Sequence, residues 1–168
     1  NVSRNYDLMN DLMSFGTHRI WKKTLLEIMN ICSDEKIIDV GSGTGDLIKL
    51  IAEKNNNNEI YCVDLNASML NECKNKFKDK KNNKIKFINA NAENLPFQKN
   101  FFDKYIISFC LRNVTHIEKA LSEAHRILKP GGSFYCLEFS APNTTIINSL
   151  YNEYKKKNFS FFGDKKAK

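Results

Sequence analysis

No apolar run in this 168-residue chain approaches the roughly 20 residues needed to cross a bilayer, which argues against a transmembrane helix. No signal or transit peptide is visible, although the chain opens inside a helical pattern, which leaves room for a leader already removed. The five cysteines (Cys32, Cys62, Cys73, Cys110 and Cys136) never fall in a C-x-x-C spacing. They are odd in number, and several sit in apolar segments, so a reducing compartment is expected and neither a metal nor a disulfide is implied. No basic stretch is interleaved with aromatics as single-stranded nucleic-acid binders require, so no nucleic-acid partner is expected. The formal charge of +7 instead leaves a weak attraction to an anionic membrane surface. There are no internal repeats and no sign of a second domain. Prolines number only three: Pro96 punctuates a loop, and Pro130 and Pro142 stand where periodic segments end.

What is present alternates between short apolar runs and helical patterns. Tyr6 to Met29 carries Leu8, Leu12, Ile20, Leu25 and Met29 at helical spacing, interrupted at Phe15-Gly16, and reads as two helices. Strands are expected over Lys36–Val40, Glu59–Asp64, Ile85–Asn89, Phe102–Ser108 and Ser133–Phe139. Helices are expected over Asp46–Lys54, Ala67 to about Lys78 with Asn66 as N-cap, Ile117 to about Leu128, and Thr145–Lys156. Asn91 to Gln98 reads as a loop, and Pro130-Gly131-Gly132 as a turn. The asparagine and lysine runs Asn55–Asn58 and Lys80–Lys84 fall between these segments and read as solvated loops. Strand–helix alternation implies an α/β fold: a parallel sheet with right-handed crossovers, helices on both faces, and a ligand at the carboxyl ends of the strands where their order reverses.

The stretch Ile37-Ile38-Asp39-Val40-Gly41-Ser42-Gly43-Thr44-Gly45-Asp46-Leu47 organises the rest. A β-branched run, three alternating glycines and a helix start together make a pocket walled by bare backbone N–H groups. The spacing is G-x-G-x-G, not the G-x-G-x-x-G of dinucleotide enzymes. With Asp39 inside the preceding strand, it resembles the first motif of the class I S-adenosylmethionine-dependent methyltransferases, which implies their Rossmann-like fold. The bland alternative is a glycine-rich turn with no ligand.

Each later strand then offers a residue at its carboxyl end. Asp64 ends the second strand, and a carboxylate there can accept both hydroxyls of a ribose, or merely cap a turn. Asn91 and Ala92 follow the third, where a side-chain amide and a backbone N–H can read an adenine edge; Asn91 can equally be an ordinary turn residue. Ser108 ends the fourth, close to where that cofactor's sulfonium would sit.

The resemblance sharpens elsewhere. Tyr6-Asp7-Leu8-Met9-Asn10-Asp11-Leu12-Met13-Ser14-Phe15-Gly16-Thr17-His18-Arg19-Ile20-Trp21-Lys22 is similar to the N-terminal signature of the ubiquinone/menaquinone biosynthesis C-methyltransferases. Asn91-Ala92-Glu93-Asn94-Leu95-Pro96-Phe97 resembles their adenine-side loop. Leu111-Arg112-Asn113-Val114-Thr115, then Arg126-Ile127-Leu128-Lys129-Pro130-Gly131-Gly132 and Leu137-Glu138-Phe139-Ser140, resemble their second signature.

The resemblance implies methyl transfer from S-adenosylmethionine to a ring carbon of a polyprenyl benzoquinol, of the 2-methoxy-6-polyprenyl-1,4-benzoquinol methylase type. A menaquinone-pathway or other small-molecule methyltransferase is the alternative, as is a non-catalytic cofactor-binding scaffold in a quinone-synthesis complex. Cofactor contacts are implied at Gly41, Gly43, Thr44, Gly45, Asp64, Leu65, Asn91, Ala92 and Ser108. Catalytic roles are expected at Arg112, Asn113 and Tyr6. Arg112 would stabilise a phenolate, or else simply pair with Glu138. Asn113 would orient the ring oxygens. Tyr6 and His18 lie in a segment that would cover the cofactor and wall the quinol site, with His18 either a base or a packing residue.

The polyprenylated quinol is the expected substrate, with peripheral membrane contact, and a homodimer or a quinone-synthesis complex as assembly. The segment Phe134–Ser140 resembles the eukaryotic, ubiquinone-making branch. It places the protein at the matrix side of the mitochondrial inner membrane, with bacterial cytoplasm as the alternative. One domain is expected over 1–168: a helical cover (1–30), a cofactor-binding core (36–140), and a C-terminal helix and tail (141–168). The family's closing strand pair is not recognisable after the fifth strand, which leaves that strand as an edge.

Overall fold

A computed structural model of the chain describes residues 17–54, 57–78 and 84–138. In chain order its elements are α1 (His18–Met29), β1 (Lys36–Val40), α2 (Asp46–Lys54), β2 (Glu59–Asp64), α3 (Ala67–Lys76), β3 (Ile85–Asn89), β4 (Phe102–Ser108), a 3₁₀ turn (Leu111–Asn113), α4 (Ile117–Ile127) and β5 (Leu128–Leu137). The first of the two expected N-terminal helices, Tyr6, and the expected helix over 145–156 lie outside the described residues.

The five described strands form one sheet in the order β3-β2-β1-β4-β5, all parallel. The order reverses between β1 and β4, so the chain leaves these neighbours in opposite directions and opens a crevice above their carboxyl ends. Four of the five strands have the expected bounds. Both faces of the sheet are covered, which is why β1 reads Ile-Ile-Asp-Val with every one of those residues buried rather than alternating.

On one face Ile37, Ile60, Cys62 and Ile106 lie beneath apolar residues of α1, α2 and α3. On the other Ile38, Val63, Tyr105 and Ile107 lie beneath Ala120, Ala124 and Ile127 of α4. The α3 N-terminus is capped as expected: the Asn66 side chain accepts from the amides of Ser68 (3.0 Å) and Met69 (3.3 Å). The helix stops at Lys76, two residues before the expected end, with Phe77 as its C-cap.

The fifth strand corrects the expected start at Ser133. Pairing begins at Leu128, opposite Phe102, breaks, and resumes with Lys104 opposite Ser133. Pro130, which has no N–H to donate, and Gly131, at φ +81°, occupy the break. The turn signal was genuine, but the turn is a bulge within a strand, one of the few places a sheet accepts proline.

Candidate functional site

The glycine turn grows directly out of β1. The Gly41 and Ser42 amides both donate to the Val63 carbonyl, at 2.8 and 3.0 Å, so the turn stays tied to β2 as it climbs. Gly41 sits at φ +76°, and a Cβ built on it would lie 2.2 Å from Cys110 Sγ. Only glycine meets both the conformation and the closeness. Gly43 presents its N–H to Asp64 Oδ2 at 2.8 Å. The other oxygen, Oδ1, accepts from the Asn66 amide at 2.8 Å. The carboxylate therefore faces the glycine turn, held by two amides, with acceptor capacity remaining on each oxygen.

Two hollows flank the turn and share Gly41 and Gly43. The larger, about 420 Å³, runs from Gly41, Gly43 and Asp64 past Leu65 and Met69 to Asn91, Ala92, Cys110 and Asn113. The smaller is a cleft of about 40 Å³ behind the turn, bounded by Lys22, Asp39, Ser42, Thr44, Asp46, Ser108 and Phe109. Of the expected cofactor residues, Gly41, Gly43, Asp64, Leu65, Asn91 and Ala92 line the larger hollow, while Thr44 and Ser108 line the cleft. Gly45 lines neither. A Cβ there would lie 2.3 Å from Cys73 Sγ and 3.2 Å from Phe77, so its bareness serves the packing of α3. Leu65, 69% exposed, forms the outer lip.

The loop after β3 is fixed from below. Asn91 Oδ1 accepts from the Glu93 amide at 3.0 Å, an Asx turn that orients the loop. Arg126 of α4 donates to the carbonyls of Phe97 (2.7 Å) and Leu95 (3.0 Å), and Glu123 accepts from the Leu95 amide at 2.7 Å. The Phe97 ring meets Phe102 edge-on, with centroids 4.9 Å apart. A rigid wall thus carries Asn91 and Ala92.

Among the expected catalytic residues, Asn113 lines the larger hollow. Its neighbour Arg112 forms an ion pair with Glu138, whose other oxygen accepts the Arg112 amide at 3.3 Å. That pairing was one of the two readings open for Arg112. Tyr6 lies outside the described residues. His18 is buried at the start of α1 on the packed face of that helix.

Sequence reasoning missed several residues here. Lys22 comes from α1, distant in sequence, and only helical phase could have flagged it: it shares the packed face with His18, Leu25, Leu26 and Met29. Phe109 is held at φ +54°, a costly conformation for a bulky residue, at the cleft mouth. Met69 and Cys110 wall the larger hollow. The Cys110 thiol is pushed up to about 11, chiefly by burial and then by the carboxylates of Asp64 and Asp39, so it serves as bulk and not as a nucleophile.

Asp39 is the electrostatic centre. It is only 2% exposed, and its pKa is raised to about 7 by burial, opposed by the positive charge of Lys22 and reinforced by Asp64. Among the described residues, Asp39 Oδ1, Ser42 Oγ and Ser108 Oγ have no hydrogen-bond partner. Buried polar atoms are rarely left so, and three around one cleft leave hydrogen-bonding capacity there for a polar ligand or ordered water.

A family model described as the ubiE/COQ5 methyltransferase family matches residues 1–168. The ubiquinone/menaquinone biosynthesis C-methyltransferase UbiE of Rickettsia prowazekii is 48% identical over 159 residues, covering 91% of this chain and 63% of that protein. Its counterpart in Wigglesworthia glossinidia brevipalpis is 45% identical over 156 residues, covering 92% and 62%. The chain thus spans a little under two thirds of the length of these curated relatives.

The fold is shared with solved methyltransferases at lower identity. A phosphoethanolamine N-methyltransferase 2 of Haemonchus contortus, solved in complex with S-adenosyl-L-methionine, superposes with a TM-score of 0.70 at 22% identity, over 82% of this chain and 32% of that one. A SAM-dependent methyltransferase from Aquifex aeolicus gives 0.67 at 17%, over 74% and 66%. Strand order, glycine turn and sequence similarity over the full length agree, and the chain belongs to the ubiE/COQ5 methyltransferase family.

Proposed function

We propose that this chain binds S-adenosylmethionine and transfers its methyl group to a ring carbon of a polyprenylated benzoquinol, as in ubiquinone biosynthesis. One observation carries the reading: the Asp64 carboxylate faces the Gly43 amide at the head of a hollow whose far wall is Asn91-Ala92. That spacing of a two-oxygen acceptor, bare backbone and an amide-rich wall suits the ribose and base of a nucleoside. The unpartnered oxygens of Asp39, Ser42 and Ser108 fit the polar remainder of the same molecule.

When bound, the cofactor supplies a methyl group made electrophilic by its sulfonium. The chain's own task is then to orient and polarise the quinol. Asn113, on the hollow's wall, can hold a ring oxygen. Arg112, beside it in the 3₁₀ turn, is ion-paired with Glu138 and would bring its charge to a phenolate on the ring as part of that pair. Gly41, Gly43, Asp64, Asn91 and Ala92 would hold that cofactor, which would supply the methyl group to the ring carbon in exchange for the ring proton. In-line positioning supplies much of the remaining acceleration.

Two measurements test this. Calorimetry with S-adenosylhomocysteine should give saturable heat, and none from well-folded protein would defeat the cofactor reading. Labelled methyl transfer to short-chain benzoquinol and naphthoquinol analogues should favour the benzoquinol; transfer to the naphthoquinol alone would move the assignment to the menaquinone branch. In the same assay Arg112→Ala should lower turnover roughly 100-fold or more while leaving cofactor affinity within about twofold. Unchanged turnover would remove Arg112 from the mechanism.

The net charge of +7 supports peripheral contact with anionic membrane, where a polyprenyl substrate resides. No helix among the described residues is long and apolar enough to cross a membrane. Cosedimentation with phosphatidylserine vesicles should therefore fall as salt rises. The resemblance of the segment 134–140 to the eukaryotic branch supports a mitochondrial matrix location, whereas the curated relatives named above are bacterial. Fractionation of the source cell would decide between the two.

A further inference from the structure

Lys22 stands where amphipathic helices seldom place a lysine. α1 docks on the sheet through Leu25, Leu26 and Met29, all buried, and Lys22 projects from that same face. Its side chain is only 13% exposed. Its ammonium reaches the cleft behind the glycine turn, 3.7 Å from Asp46 Oδ2, a long ion pair in which Asp46 also engages Lys76 at 3.2 Å. Asp39 lies across the same cleft, with one oxygen lacking a hydrogen-bond partner, as does the buried hydroxyl of Ser42. A cation and a carboxylate withdrawn from water, and neither fully engaged, form a costly arrangement unless a third group completes it. A group bearing both charges would do so without changing the net charge of the cleft.

We infer that Lys22 recognises the carboxylate of an amino-acid head group held in this cleft, opposite Asp39. The inference rests on the cofactor reading above and adds to it the residue that selects for the carboxylate. Because the cleft and the larger hollow share Gly41 and Gly43, one ligand can occupy both, with its nucleoside in the larger and its charged head beside Lys22. Lys22 acts at the end of that ligand remote from the nucleoside, so its contribution depends on the carboxylate alone.

The test is calorimetry on the full chain with three ligands: S-adenosylhomocysteine, decarboxylated S-adenosylmethionine, and 5′-methylthioadenosine, which lacks the whole head. For Lys22→Met, the dissociation constant of S-adenosylhomocysteine should rise roughly 10- to 100-fold, as for loss of one charge-assisted hydrogen bond. The other two should stay within about twofold, and Lys22→Arg should restore most of the loss. An equal loss for all three ligands, or none for any, with the wild-type chain binding normally, overturns the role of Lys22 and leaves the cofactor reading standing. A wild-type chain that binds none of the three overturns both. Thermal unfolding of each variant without ligand separates a folding defect from a recognition defect: a ligand-selective loss at unchanged melting temperature supports the inference. Should Lys22→Met fail to fold, Lys22→Gln against the same three ligands carries the test: a loss confined to S-adenosylhomocysteine supports the inference, and a change equal for all three, or none for any, refutes it.

Discussion

A methyl group at position 41 would meet Cys110 Sγ and Cβ at 2.2 and 2.5 Å, on a backbone at φ +76°. Gly41→Ala should therefore cost both conformational strain and displacement of a neighbour, roughly 2–4 kcal/mol of stability, read in urea unfolding. Cys110→Ala in the same chain should recover only the share due to Sγ, since the Cβ at 2.5 Å remains, and should leave the conformational share of about 1 kcal/mol. Asp39 makes a different prediction. Its carboxyl titrates near 7 in the folded protein, against 3.8 for an unperturbed aspartate, so between those values the native chain holds a proton that the unfolded chain has lost. Stability attributable to this group thus falls as pH rises from about 4 through 7. Asp39→Asn should flatten that decline, with a gain approaching roughly 4 kcal/mol above pH 7 as the upper bound. Unfolding free energies at pH 5 and pH 8 would check it, and identical pH dependence in the two proteins would refute it.

Between residue and fold, the loop after β3 shows how an element far from the ligand governs the site. Arg126 and Glu123 on α4 hold the Leu95 and Phe97 backbone, and the same loop carries Asn91 and Ala92 into the larger hollow. Glu123 is kept below the usual carboxylate range, first by its hydrogen bond from Arg126, so the pair stays charged through neutral pH. Arg126→Ala should lower stability by roughly 1–2 kcal/mol, since two backbone carbonyls lose a charged donor. Amide exchange at Leu95 and Phe97 should quicken while β1 stays protected, and affinity for S-adenosylhomocysteine should weaken several-fold. Exchange rates that rise equally in β1 would show a global effect instead. The element's importance was invisible in the linear sequence, where Arg126 belongs to a segment read as a helix end before a turn. Contact between α4 and the 91–97 loop arises only once β4 has carried the chain between them.

At the scale of the molecule, the two hollows that a ligand would fill are lined by the turn after β1, the end of β2, the loop after β3, the end of β4 and the helix preceding β1. Binding should therefore stabilise the folded unit as a whole. S-adenosylhomocysteine at 100 times its dissociation constant should add about 2.7 kcal/mol, a rise of roughly 5–10 °C in melting temperature for a chain of this size. A ligand that binds in calorimetry yet leaves the melting temperature unmoved would mean that it binds the unfolded chain equally.

The order of apolar runs, the G-x-G-x-G spacing and the acid nineteen residues beyond it were enough to establish a parallel α/β sheet with a backbone-walled turn, because strand and helix periodicities and glycine's conformational freedom are local properties. They also located Asp64 and Asn91, since each falls at a strand's carboxyl end or just after it, whereas Asn113 came from the family resemblance of the Leu111–Thr115 segment. What only the tertiary structure decided is which way those groups face and what meets them. Gly45 turned to α3 because Cys73 and Phe77 pack there, Arg112 met Glu138 across the ends of β4 and β5, and Lys22 entered the cleft because α1 docks its apolar face on the sheet. Such encounters join residues tens of positions apart. They depend on how the layers pack, which no short window of sequence encodes.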